Sequence, residues 1–171
     1  SIGTWKRGAI DKKLKTIEVI GNGWSALDPL VAFSLIGKVI KRVPESFQYL
    51  REYIKQNVKV AADQRVIKQR LDFIQKAESS ATQLIASLPW IEVHKKILLE
   101  VAGMYEDLSE DILDLAKVEG TSSEDAAAIE QTMVEITQPF VEVSEKLRAQ
   151  AAQIDLKENL ATIDLTILSR I

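Results

Sequence analysis

Ile91, His94, Leu98, Val101, Tyr105, Leu108, Ile112 and Leu115 follow one another at alternating steps of three and four residues. Such steps put side chains on one stripe of an α-helix, whereas a strand returns to the same face every second residue. Ile97, Met104 and Val118 flank the seam and widen it from a coiled-coil stripe toward the breadth a globular core requires. Pro89 suits a first turn, where the N–H has no partner to lose, and Gly120 suits a left-handed stop. The spacing predicts a helix from about 90 to 118.

A second seam follows as Ala126, Ile129, Met133, Ile136, Phe140, Val143, Leu147, Gln150 and Ile154. Ser122 or Ser123 can accept from the free N–H groups of its first turn, and Glu124 and Asp125 favour the positive helix end. Pro139 lies inside the seam without shifting its phase, so the reading there is a bend and not an end. After Ile154 the phase slips to Leu156, Leu160, Ile163, Ile167 and Ile171, which predicts a break near Asp155 and a final helix.

Upstream, Phe47, Leu50, Ile54, Val58 and Ala61 form one stripe from a start at Pro44 or Glu45, and Ile67, Leu71, Ile74, Ala81, Ile85 and Leu88 form another. Ala62, Asp63, Gln64 and Arg65 lie between them, and the pattern fits either one helix over 45–88 or two. Long helices on short connections must reverse direction at each turn. The expected fold is therefore all-α, an elongated antiparallel bundle of five or six helices, three of them long. Residues 1–171 form one domain on this reading, with short helices over 1–43 and the long-helix bundle over 44–171. A size of 171 residues fits one buried core, and no repeat or low-complexity tract divides it.

Gly21-Asn22-Gly23-Trp24-Ser25-Ala26 fits the G-x-G-x-x-[G/A] pattern of a dinucleotide turn. That turn needs a strand before it and a helix directly after it. Asp28-Pro29 follows too soon, because the residue before a proline is pushed out of the helical region. The match is a coincidence of composition. The better account is a basic amphipathic helix over about 4–20, stopped by Gly21 and Gly23, then a second helix capped by Asp28 and running from Pro29 to about Arg42.

Candidate chemistry is sparse. With no cysteine, thiolate nucleophiles, disulfides and cysteine-held metals are excluded. The single histidine, His94, lies on a seam and reads as a satisfied boundary residue. Glu92-Val93-His94 lacks the spacing of a di-iron ligand pair, and no nucleophile elbow is present. Glu106, Glu110 and Asp114 form an acidic stripe flanked by Asp107 and Asp111, with basic residues of the 51–76 region as its expected partners. The expectation is a non-enzymatic chain with no catalytic residue, no metal, no cofactor and no evident small-molecule substrate.

Charge is uneven: residues 1–78 carry a balance of +7 and residues 79–171 of −10, for a total of −3. A pI near 5.3 argues against nucleic acid as the main partner. The function expected is that of a helical interaction or scaffold module, through a protein partner or self-association. The alternative is a membrane-active bundle, pore-forming or peripheral, whose basic N-terminal helices engage anionic lipid. Trp5, Lys6, Arg7, Lys12, Lys13, Lys15 and Trp24 are the candidate lipid or anion contacts, because tryptophan and basic residues favour the membrane interface. The stretch 24–40 is the most apolar of the chain but too short and too interrupted to span. Without a secretory signal at the N-terminus, the compartment expected is the cytoplasm.

Overall fold

A computed structural model of the chain describes residues 29–117 and 123–168, with side chains from 40 to 117 and from 123 to 155. Four helices account for nearly all of it: α1 Pro29–Asn57, α2 Gln64–Ser87, α3 Ile91–Asp114 and α4 Ser123–Leu168. No strand occurs among the described residues. The expected helix over 4–20, the glycine turn at 21–23 and Gly120 lie outside the described residues.

Several expected boundaries move, among them the end of α3, which comes at Asp114 and not near 118. Pro44 does not start a helix; α1 passes through it, and the proline is buried inside one 29-residue element. A proline removes one i→i−4 bond, which packing on both sides can outweigh. Here Val43 and Phe47 flank it with no exposure at all. Nor does the chain break near Asp155, since α4 continues for 46 residues to Leu168. The phase slip in its apolar pattern does not end the helix. Pro139 lies within α4, as the uninterrupted seam implied.

The ambiguity over 45–88 resolves into two helices. Residues 58–63 leave the helical conformation, and Asp63 caps α2 with its carboxylate accepting from Arg65 N–H at 2.9 Å. Asp63 has the extended backbone (φ −130°, ψ 113°) that an N-cap adopts. Pro89 falls before α3 and not in its first turn, with Trp90 at the cap position.

α3 is the hub. It packs against α4 most extensively, then against α1 and α2, while α1 and α2 touch each other little. Directions follow from the side-chain pairs. Arg51 and Lys55 of α1 meet Asp107 of α3, with Arg51 lying over Gly103, so these helices run parallel. Tyr105 meets Glu78 and Asp111 meets Arg70, so α2 is antiparallel to α3. Glu106 meets Arg148 and Lys95 meets Asp155, so α4 is antiparallel as well. Sequential helices thus alternate in direction.

The core follows from that arrangement. Val43, Phe47, Leu50 and Ile54 of α1, Phe73, Ile74, Ala77 and Leu84 of α2, and Leu147 and Ala151 of α4 all bury against α3. On α3 itself Val93, Ile97, Val101, Ala102, Met104, Leu108 and Ile112 are buried, which is more than one stripe. Ile91, at the head of the expected seam and the first residue of α3, is 45% exposed.

Candidate functional site

Helices α2 and α4 both lean on α3 without closing on one another. Between them runs a groove whose cavity measures about 320 Å³. Leu98 and Val101 of α3 form its floor, Ala81 and Ile85 of α2 one wall, and Val143 and Leu147 of α4 the other. Helical spacing explains the walls. Residues 81 and 85 are four apart, as are 143 and 147, so each pair stacks on one face of its helix.

The polar groups of the groove are Glu78, Thr82, Lys146 and Gln150. Glu78 is already engaged, accepting from the Tyr105 hydroxyl at its inner end. Burial, reinforced by the hydrogen bond to Glu78, pushes the Tyr105 phenol well above its ordinary range. A phenol held neutral in this way is a poor proton donor or acceptor near neutrality. The Thr82 hydroxyl donates to the Glu78 carbonyl at 3.0 Å, so it too is spent locally. Lys146 and Gln150 are exposed at the rim. The arrangement is an apolar trough with a polar edge, suited to holding side chains and lacking a convergent set of reactive groups.

The acidic positions of α3 resolve into pairs, and the sequence foresaw part of this. Asp107 accepts two bonds from Arg51, at 2.8 and 3.1 Å, and one from Lys55 at 3.3 Å. Burial pushes the Asp107 carboxyl up, but the hydrogen bonds and charge of Arg51, with Lys55, outweigh it and hold it below its ordinary range. Asp111 takes Arg70, the most deeply buried charge described, at 2.5 Å. The Arg70 Nη1 also donates to the Val58 carbonyl at 3.4 Å, while its Nε and Nη2 find no partner among the described residues. Glu106 takes a partner from outside the expected 51–76 region: Arg148 of α4. Asp114 pairs with Lys117 at 2.7 Å, and Glu110 is exposed.

Arg70 was the residue sequence reasoning passed over. It occupies a core-facing position of α2, three residues before Phe73, where the binary pattern asks for an apolar side chain. That violation was the available signal.

His94 is half-buried, with its Nε2 donating to the Leu88 carbonyl at 2.5 Å, and so closes the turn between α2 and α3 as a structural residue. No group of three or more His, Cys, Asp or Glu suited to a metal ion occurs among the described residues. Trp5, Lys6, Arg7, Lys12, Lys13, Lys15 and Trp24 lie outside them. No described helix is long and apolar enough to cross a membrane. The chain matches no protein-family model, no curated protein and no solved structure.

Proposed function

We propose that the chain is a non-enzymatic interaction module that seats one amphipathic helix of a protein partner in the groove between α2 and α4. The observation that carries this reading is that α2 and α4 stand apart over an apolar floor supplied by Leu98 and Val101. Helix-in-groove recognition uses such a trough, with anchors at i, i+3 or i+4, and i+7 filling it and polar residues fixing register at the edge. A cavity of about 320 Å³ accepts a few anchor side chains. It offers a small molecule little to orient it, since Glu78 is held by Tyr105.

The test is a display library of helical peptides panned against the intact chain. Selected helices should shift the backbone amide signals of Ile85, Leu98 and Val143. They should bind Ile85→Glu at least tenfold more weakly, while that variant melts like the parent. Ile85 is only half-buried, which leaves a carboxylate there a path to water. Helices that bind Ile85→Glu equally well, or that shift the exposed Tyr49 face of α1 instead, would overturn the reading.

A further inference from the structure

The register of the bundle leaves two helix ends projecting past the hub. Arg51 lies level with Gly103 in the parallel pair, so at ~1.5 Å per residue position 39 of α1 is level with Ile91, where α3 begins. By the pairs Arg148–Glu106 and Lys95–Asp155, α4 passes the same level near residue 161. α2 ends at Ser87, before reaching it. Residues 29–39 of α1 and the last turns of α4 therefore extend beyond α2 and α3 at the same end of the molecule.

The composition of that end is unlike that of the rest. Leu30, Val31, Ala32, Phe33, Leu35, Ile36 and Val39 occupy every side of the helical wheel, with Lys38 the one charge in the segment. A helix apolar on all sides needs apolar surroundings on all sides, not one buried stripe. The projecting turns of α4 add Ile163, Leu165, Ile167 and Leu168. Directly behind the segment, Lys38, Lys41 and Arg42 fall at i, i+3 and i+4 on one face of α1, and the side chains of Lys41 and Arg42 are exposed. Lys96 of α3 is exposed nearby; Glu92, with which it pairs at 4.0 Å, Glu45, and Asp164 in the projecting turns of α4 are the opposing charges.

We infer that this end of the bundle docks on an anionic lipid bilayer, with residues 29–39 entering one leaflet and Lys38, Lys41 and Arg42 meeting the headgroups. The dimensions agree. Eleven helical residues span ~16 Å, about half of the ~30 Å hydrocarbon core, which suits insertion without crossing. Basic residues just outside an apolar helix end extend to the headgroup layer while their stems stay in apolar surroundings. This surface is separate from the groove, and the two readings stand or fall separately.

A chain without cysteine allows a single reporter to be placed anywhere. Phe33→Cys and, as control, Tyr49→Cys are labelled with an environment-sensitive fluorophore and mixed with vesicles of phosphatidylcholine containing 30% phosphatidylserine. Emission at position 33 should rise several-fold and be quenched by lipids brominated along their chains; position 49 should not change. Lys41→Gln with Arg42→Gln should weaken vesicle binding at least tenfold without altering the melting temperature. Ile85→Glu should leave vesicle binding unchanged, so a failure here is distinct from a failure of the groove. Three outcomes would each overturn the inference. One is no emission change at low salt. Another is a reporter at 33 already in apolar surroundings without lipid, meaning that another part of the chain covers it. The third is association into dimers that shield position 33 in place of lipid.

Discussion

The helices α3 and α4 carry apolar seams of nearly equal regularity, yet the bundle uses them differently. Every seam residue of α3 from Leu98 to Ile112 is buried, and Val93, Ile97, Ala102 and Met104 are buried as well. Among the described side chains of α4, residues 123–155, only Leu147 and Ala151 are buried apolar residues, while Ile136 and Val134 are 41% and 46% exposed. Periodicity tells which side of a helix is apolar; it does not tell how many neighbours will cover that side. Among the described helices, α3 has three neighbours and α4 has essentially one. The lesson is that the shorter helix is the structural centre and the longest one is largely a wall.

The largest expected effect tests that asymmetry directly. Leu108 has no exposure, and Leu108→Ala should lower stability by ~2–5 kcal/mol through lost transfer energy and the cavity left behind. Ile136→Ala on α4 should cost less than ~1 kcal/mol, since much of that side chain already meets water. Denaturant melts of the two variants decide it, and equal losses would mean that α4 is as enclosed as α3.

Next in size is the ion pair that ties α1 to the hub. Asp107→Asn should cost ~1.5–3 kcal/mol at neutral pH, the range for hydrogen bonds to a charged group. The native carboxyl lies below its ordinary range, so its stabilising contribution is present above pH ~4 and is lost as pH falls through the lower native value. The gap between parent and Asp107→Asn should therefore close on acidification below pH ~4. A gap that persists at pH 2 would mean that packing, not charge, sets the effect.

A third variant probes the buried guanidinium. Asp111→Ala leaves Arg70 without its one charged partner and should cost ~1–3 kcal/mol, moderated because Asp111 is itself partly exposed. Adding Arg70→Met to Asp111→Ala should recover most of the loss, because an apolar side chain suits that position. Non-recovery would show that the Arg70 contact with the Val58 carbonyl holds the α1–α2 turn in place.

Much of this fold was legible in the sequence, for a physical reason. Leu98, Val101, Leu108 and Ile112 are buried as their spacing required, and α1 and α2 present Phe47, Leu50, Ile54 and Ile74 as their stripes implied. What failed were boundaries and neighbours. Pro44 reads locally as a start, but Val43 and Phe47 pack on either side of it and carry the helix through. The slip near Asp155 reads locally as a break, but backbone hydrogen bonding carries the helix on to Leu168 whatever the phase of its apolar residues. The groove was not legible at all, because it is a gap between α2 and α4 that only their separate docking on α3 creates. Arg148 was missed as the partner of Glu106 for the same reason, since it comes from a helix 42 residues away.

The smallest expected effect concerns the one described glycine on the hub. Gly103 lies in the middle of α3, where glycine costs roughly 0.5–1 kcal/mol relative to alanine through backbone entropy. A Cβ there would overlap the guanidinium of Arg51, which lies across the helix to reach Asp107. The glycine thus exchanges helix propensity for close approach of a charged side chain from α1. Two terms of similar size oppose each other in Gly103→Ala. The propensity gain is fixed, and the loss depends on how far Arg51 must shift from its paired bonds. Because that guanidinium is the far end of a flexible chain, the net change should stay within ~1 kcal/mol. The sign becomes readable in a double-mutant cycle. With Arg51→Ala already in place the overlap is gone, and Gly103→Ala should then stabilise by roughly 0.5–1 kcal/mol. In the parent the same substitution should stabilise less, or destabilise. On α4, where Arg148 meets Glu106 at the exposed edge, no glycine is needed to admit the arginine. Equal effects of Gly103→Ala in both backgrounds would mean that Arg51 does not press on α3, and that its pairing with Asp107 survives a Cβ beneath it.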